Sequence, residues 1–356
     1  MERDLERGFE ALEAGQLDEA IASLDRCQRI DRRNPDVIGL AAAVADARGD
    51  IDEAIKQYRA LSELYPDDAP PRLAIARLEL HGAGDPEAAL STLEAAFDFI
   101  DEEPDLIDGV MLRAEAQIAT DDLAGARQSL SELTTSAIDD DQLAFDLAEL
   151  ALAAEDLGAA RRWIAAARAL PIRPPDLDPA DAADDEPLPT VDEMTNAREA
   201  DALHLLGRVH EAADERAEMI ECWQKVRLLD GAAPPRGLQI SEDELERIAQ
   251  DALAELPAAV RAKLERVPIL IDTLPSPGLI GDGLDPRLLG VFQGTPMPDG
   301  GDLAPTVTNI MLFRTNLARA AIDREMLADE VRITVLHETA HYFGLDEADL
   351  VKLGLD

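Results

Sequence analysis

Gly15-Gln16-Leu17-Asp18-Glu19-Ala20-Ile21 returns 34 residues later as Gly49-Asp50-Ile51-Asp52-Glu53-Ala54-Ile55. Self-similarity at a fixed period of this length marks an array of short helical units, none of which buries enough surface to stand alone. Each unit carries a small, a large and a further apolar residue at spacings of four and three: Ala20, Leu24, Cys27, then Ala54, Tyr58, Leu61. Looser copies follow at Ala89, Leu93, Ala96, at Ala126, Leu130, Leu133 and at Ala160, Ile164, Ala167. A last copy reads Leu206-Gly207 with His210, then Met219, Trp223 and Val226. Small residues at the ends of the pattern let antiparallel helices approach closely, and the larger one fills the groove to the next pair.

On these residues the chain resembles tetratricopeptide-repeat proteins over roughly residues 1 to 232, with about six helix pairs. The resemblance implies an all-α helical solenoid whose concave face holds a peptide or another protein. Trp163 and Trp223 sit at or beside the large-residue positions, where packing accounts for them. His210 occupies an aromatic position and reads as core, while His81 and His204 read as ordinary solenoid residues. Repeats are expected over 1–170 and 196–232. They are separated by an acidic, Pro-rich insert over 171–195, which opens with Pro171-Ile172-Arg173-Pro174-Pro175 and cannot bury enough apolar surface to order itself.

The chain has 356 residues, with 75 Asp plus Glu against 33 Lys plus Arg, a formal charge of −42. Such a surface repels phosphate backbones and anionic lipid heads, so neither nucleic acid nor a membrane is expected as a partner. Cys27 and Cys222 are far apart and each falls in a helical pattern, which argues against a disulfide framework. The start, Met1-Glu2-Arg3-Asp4, lacks a basic and apolar leader, and no apolar run is long enough to span a bilayer. A cytoplasmic location is the expectation.

After a breaker cluster that makes 233–240 a linker, the pattern changes. Ser241, with Glu244 three residues on, starts a helix that runs to about Leu256. Short apolar runs at Val267–Ile271, Leu288–Gln293 and Thr308–Phe313, bounded by Gly, Pro or Asp, suit strands. A small α+β domain is expected over 241–356.

Its chemistry is written in His337-Glu338-Thr339-Ala340-His341-Tyr342-Phe343-Gly344-Leu345-Asp346-Glu347. On a helix, residues four apart stack on one face, so the His337 and His341 imidazoles converge on one point, a pair that suits a zinc ion (Zn2+). Glu338 is rotated by about 100°, too far for an ideal ligand but placed to take a proton from a water on the metal. Val331, Val335, Leu336, Ala340 and Phe343 make the helix apolar on most sides, as for one buried under a sheet. Gly344 tolerates the left-handed turn that would bring back a third ligand, with Glu347 as the candidate and Asp346 as its rival. Nine residues follow Glu347 and none is Met, so a metzincin with its downstream Met-turn is not expected.

From about Ser241 to Asp356 the sequence resembles the small bacterial zincin-like metallopeptidases, or minimal zincins. The likeness runs through Leu289–Gly294, Ile310–Arg314, Glu330–Gly344 and the closing Leu353-Gly354. It implies zinc held by His337, His341 and Glu347, with Glu338 as the catalytic base; the family commonly has Asp where Glu347 stands. The whole chain then reads as multidomain, a tetratricopeptide-type solenoid followed by a zincin-like domain, and as a zinc-dependent peptidase whose repeats recruit a protein. The competing expectation is an interaction scaffold with an inactive or structural zincin domain. Glu338 weighs against it, because a structural site has no use for a base and closes its fourth position with Cys or His. Tyr342 and Arg314 are the nearest candidates for steadying an oxyanion, and neither is assigned.

Overall fold

The computed structural model describes residues 1–173, 188–234, 238–255, 267–294 and 307–342, which divide between two compact units, Met1–Leu170 and Pro171–Asp356. Most of the acidic insert, residues 174–187, lies outside the described residues.

The first unit is five antiparallel helix pairs: α1 (Glu2–Glu13) with α2 (Leu17–Ile30), α3 (Pro35–Ala47) with α4 (Ile51–Leu64), α5 (Pro70–Arg77) with α6 (Pro86–Ala96), α7 (Glu103–Ala119) with α8 (Leu123–Leu130), and α9 (Asp141–Ala153) with α10 (Leu157–Ala169). The small-residue positions behave as the spacing requires. Ala20, Ala54, Ala89, Ala126 and Ala160 are all fully buried, and Leu93, Leu130 and Ile164 fill the grooves one turn on. The second helix of four pairs is capped by an aspartate: the carboxylates of Asp50, Asp85, Asp122 and Asp156 accept from the third backbone N–H of the helix. Part of the acid surplus is thus spent on helix starts.

Between the helices of each pair one residue takes a left-handed conformation, at Gly15, Gly49, Gly84, Asp121, Glu155 and Asp214. Glycine meets this need without strain at three turns, and an acidic residue bears it at the other three. α5 runs on as a π-helical turn, Leu78–Gly82, that carries Glu79 into the interior. There its carboxylate accepts from Arg59 at 3.0 Å and from the Thr92 hydroxyl at 2.6 Å.

The second unit holds the sixth pair, α11 (Val191–Ala212) and α12 (Arg216–Ala232), followed by α13 (Glu242–Glu255), β1 (Ile269–Asp272), α14 (Pro277–Gly281), β2 (Gly290–Gly294), β3 (Val307–Phe313), α15 (Arg314–Ala320) and α16 (Arg324–Tyr342). Thr190 and Glu193 form a capping box at the start of α11. Among the described residues the sheet has three strands in the order β1-β3-β2, with β1 parallel and β2 antiparallel to β3. Ile310 and Leu312 alternate onto one face of β3 and meet Leu245 and Ala249 of α13 and Leu327 and Val331 of α16 in a single core. α14 and α15 were not foreseen from the sequence; both are a turn or two long, too short for a periodic signal. Among the described residues no helix is long and apolar enough to cross a membrane.

Candidate metal centre and its supports

α16 carries the motif. Leu327, Val331 and Val335, at intervals of four, are fully buried, and Thr334 is buried beside them. Arg332 and Ile333 are exposed, so over 327–335 the helix is buried along one stripe, while Ala340 and Phe343 of the apolar set lie beyond the residues whose burial is described. His337 is half-buried one turn beyond Thr334, and the helix continues unbroken through Glu338 and His341 to Tyr342. One helical turn, about 6 Å of rise, therefore separates His337 from His341 along the axis. Of the side chains of Glu338, His341 and Tyr342 nothing is described, and Glu347, its rival Asp346 and the turn-forming Gly344 lie outside the described residues. An unbroken helix with two imidazoles at this spacing and a carboxylate between them fits zinc, whose preferred donors are nitrogen, sulfur and oxygen.

The helix is seated against β2 at its first residue. A Cβ on Gly290 would lie 2.6 Å from Cγ2 of Thr334, so the absence of a side chain there lets strand and helix touch. At its other end α16 is held by Arg324, which pairs with Glu244 of α13 and donates to the Gln239 carbonyl at 3.3 Å. Arg314 donates to the Ile240 carbonyl at 3.3 Å, tying the start of α15 to the entry of α13.

A second constellation, which sequence reasoning missed, joins α11 and α12 to the segment between β1 and β2. Asp230, 7 % exposed, receives Arg287 on both carboxylate oxygens, at 3.1 and 3.3 Å, and Arg319 of α15 at 3.1 Å. Arg287 also donates to Asp201 at 2.7 Å. Burial alone would lower the Arg287 pKa, but the Asp230 and Asp201 carboxylates outweigh it and hold the guanidinium firmly charged. His204 is no ordinary solenoid residue: its Nε2 lies 2.9 Å from both oxygens of Asp285. Burial pushes the Asp285 carboxyl up, yet the hydrogen bond and charge of His204, with the Arg287 backbone N–H and guanidinium, leave it below the usual carboxylate range.

Asn316 completes the seam, its amide donating to the carbonyls of Pro286 at 2.9 Å and Leu288 at 2.8 Å. A cavity of about 450 Å³ opens beside these groups, lined by Asp201, Asp230, Arg287, Asn316 and Arg319 among others. His210 is not core either; its Nδ1 sits 2.6 Å from Glu215 across the α11–α12 turn. His81 pairs with Glu115 at 3.0 Å. Trp163 and Trp223 are buried, as packing predicted. The one signal that could have exposed the seam is the run of Glu193, Ala197, Asp201 and His204 at helical spacing, which places three polar groups on one face of α11.

Residues 264–355 match the family model of zincin-like metallopeptidases, and residues 11–78 match a tetratricopeptide-repeat model. The chain joins tetratricopeptide repeats to a zincin-like domain. No curated protein matches it in sequence. Solved structures similar to it include PilW, a widely conserved type IV pilus biogenesis factor (14 % identity, 65 % of this chain and 94 % of that one, TM-score 0.48). A thermophilic tetratricopeptide-repeat protein of Thermus thermophilus aligns at 18 % identity over 60 % of this chain and 98 % of its own, with a TM-score of 0.39. A repeat protein of Parabacteroides merdae aligns at 14 % identity over 64 % and 92 %, with a TM-score of 0.30. The zincin-like match takes in β1, β2, β3 and α16 and leaves out α11, α12 and α13.

Proposed function

We propose that the protein is a zinc-dependent peptidase whose repeats recruit a protein or peptide. The observation that carries this reading is the unbroken helix α16, which presents His337 and His341 one turn apart with Glu338 between them. His337, His341 and Glu347 would hold the metal. When bound, zinc supplies Lewis acidity towards water and a peptide carbonyl. The remaining work falls to the chain. Glu338 accepts the proton of the attacking water and returns it to the departing amine nitrogen, a shuttle that needs its carboxylate free of the metal. An extended peptide could add as a strand beside β1, the outer strand that runs parallel to β3 among the described residues.

Tetratricopeptide repeats generally mediate protein–protein contact, and the stacked pairs α1–α10 support recruitment through their concave face. The aqueous surface implied by the −42 charge supports a cytoplasmic location with neither nucleic acid nor membrane as partner. Zinc analysis with peptidase assays of the native chain and of Glu338→Gln tests the proposal. Bound zinc with turnover lost in the variant is the expected result. A chain that holds no zinc, or turnover unaffected by the substitution, overturns it.

A further inference from the structure

We infer that α11 and α12 are a built-in platform of the zincin-like unit, with Asp230 as the positioning residue that fixes the two segments leading into β2 and α16. In a repeat array each helix pair buries its outer face against the next pair. Here the large residues of α12, Met219 and Trp223, pack with Ile280 of α14, a residue of the zincin-like domain. That domain stands against α12 where a following pair would stack.

Polar contacts along the same face are specific. Arg216, Gln224 and Arg227, spaced along α12, donate to the carbonyls of Asp282 (2.7 Å), Pro277 (2.7 Å) and Pro275 (2.6 Å), backbone groups of one connecting segment. Trp223 is held in turn by its indole N–H, which donates to the His204 carbonyl at 3.3 Å, and by Gly207, where any side chain would strike the indole ring.

Asp230 sits where these segments converge. A carboxylate withdrawn from water is tolerated only with charged partners in good geometry. It finds Arg287, three residues ahead of β2, and Arg319, at the end of α15 and five residues ahead of α16. Arg319 also donates to the Asp230 backbone carbonyl at 3.1 Å, so side chain and main chain of one residue grip the same guanidinium. Without the carboxylate both guanidinium groups lose their shared partner, and the approach of β2 to α16 loses its anchor. The role of Asp230 at the metal rests on the zincin reading; the unity of α11–α12 with the sheet does not.

Hydrogen exchange on the full chain, resolved by helix, tests both parts. Arg287→Ala is expected to lower protection of α11, α12 and β3 together, by about tenfold or more, and to leave α1–α10 unchanged. His204→Gln, a milder change at the other end of the seam, is expected to act in the same direction, which covers the case of an Arg287 variant that does not fold. Zinc added to the native chain is expected to raise protection in α11 and α12 as well as in β3. Zinc affinity measured against a chromogenic chelator is expected to fall about tenfold or more in Asp230→Asn and to be largely kept in Asp230→Glu.

Protection in α11–α12 that ignores both seam variants overturns the platform. Equal zinc affinity in native chain and Asp230→Asn overturns the positioning role. A native chain that binds no zinc fells the metal reading and the positioning role with it, while the exchange comparison still decides the platform.

Discussion

Gly290 and Thr334 bring strand β2 and helix α16 into direct contact: a single methyl group on the glycine would come within 2.6 Å of the threonine Cγ2 and 3.2 Å of the Met311 carbonyl oxygen. The contact lies one turn ahead of Glu338, so it sets how deeply the motif-bearing helix sits on the sheet. Gly290→Ala is expected to destabilise the second unit by about 1–3 kcal/mol, the usual cost of overpacking. Thr334→Ser, which deletes the offending methyl and keeps the hydroxyl, is expected to recover most of the loss in the double variant. Urea unfolding of the two single variants and the double one reads this out, and independent, additive losses would refute it.

The left-handed turns make an opposite kind of prediction. Glu155, at φ 58°, and Asp121, at φ 63°, are exposed residues in a conformation that costs an L-residue about 1–2 kcal/mol. Glu155→Gly and Asp121→Gly are each expected to stabilise the first unit by up to about 1 kcal/mol after the added freedom of the unfolded chain is counted. Gly49→Ala, at φ 70° with open space around it, is expected to cost a similar amount. Thermal denaturation checks the signs.

Acid acts on the second unit through Asp285. Because its carboxyl is held below the ordinary value of 3.8, the stabilisation it brings is fully present above that pH and is lost as pH falls through the lower folded value. The groups facing it are His204 of α11 and Arg287 of its own segment, with Asp201 and Asp230 bound to the far side of that arginine. Asp285→Asn is expected to lower stability at neutral pH and to flatten its decline below about pH 4. Guanidinium unfolding between pH 3 and pH 7 measures both.

Metal should divide the two units. Zinc at about a hundred times its dissociation constant is expected to stabilise the second unit by about 2.7 kcal/mol and to leave the first where it was. Chelation reverses the gain, and His337→Ala or His341→Ala abolishes it. Calorimetry of the full chain, with and without zinc, shows whether only one of two transitions moves.

The repeats were legible because their signal is redundant. Ala20, Ala54, Ala89, Ala126 and Ala160 are the same physical demand written five times, and all five are buried as that demand requires. The strands over 267–271, 288–293 and 308–313 were legible from turn residues on either side, within two residues of their observed bounds. The spacing of His337 and His341 was legible because a helix converts four residues into one turn, whatever surrounds it. The seam was not. Asp230, Arg287 and Asp201 are 86 positions apart at the extremes, and a lone Asp or Arg carries no periodicity to link it with a partner so distant. His204 was misread for the same reason, since its carboxylate partner lies 81 residues away. The π-turn at Leu78–Gly82 was equally hidden, because it closes its helix and no further turn follows to display the rotation of about 100° that an extra residue brings.

Among the described residues the two outer strands of the sheet run in opposite directions. β1 runs with β3 and β2 runs against it, so a peptide docked antiparallel to β1 travels from amino to carboxyl end in the sense of β2, and one docked antiparallel to β2 travels in the sense of β1. Under the peptidase proposal, the strand that a peptide joins would therefore fix the polarity with which it lies on the sheet. Sequencing the products of peptides blocked at one terminus or the other turns that topological fact into a directional signature of cleavage.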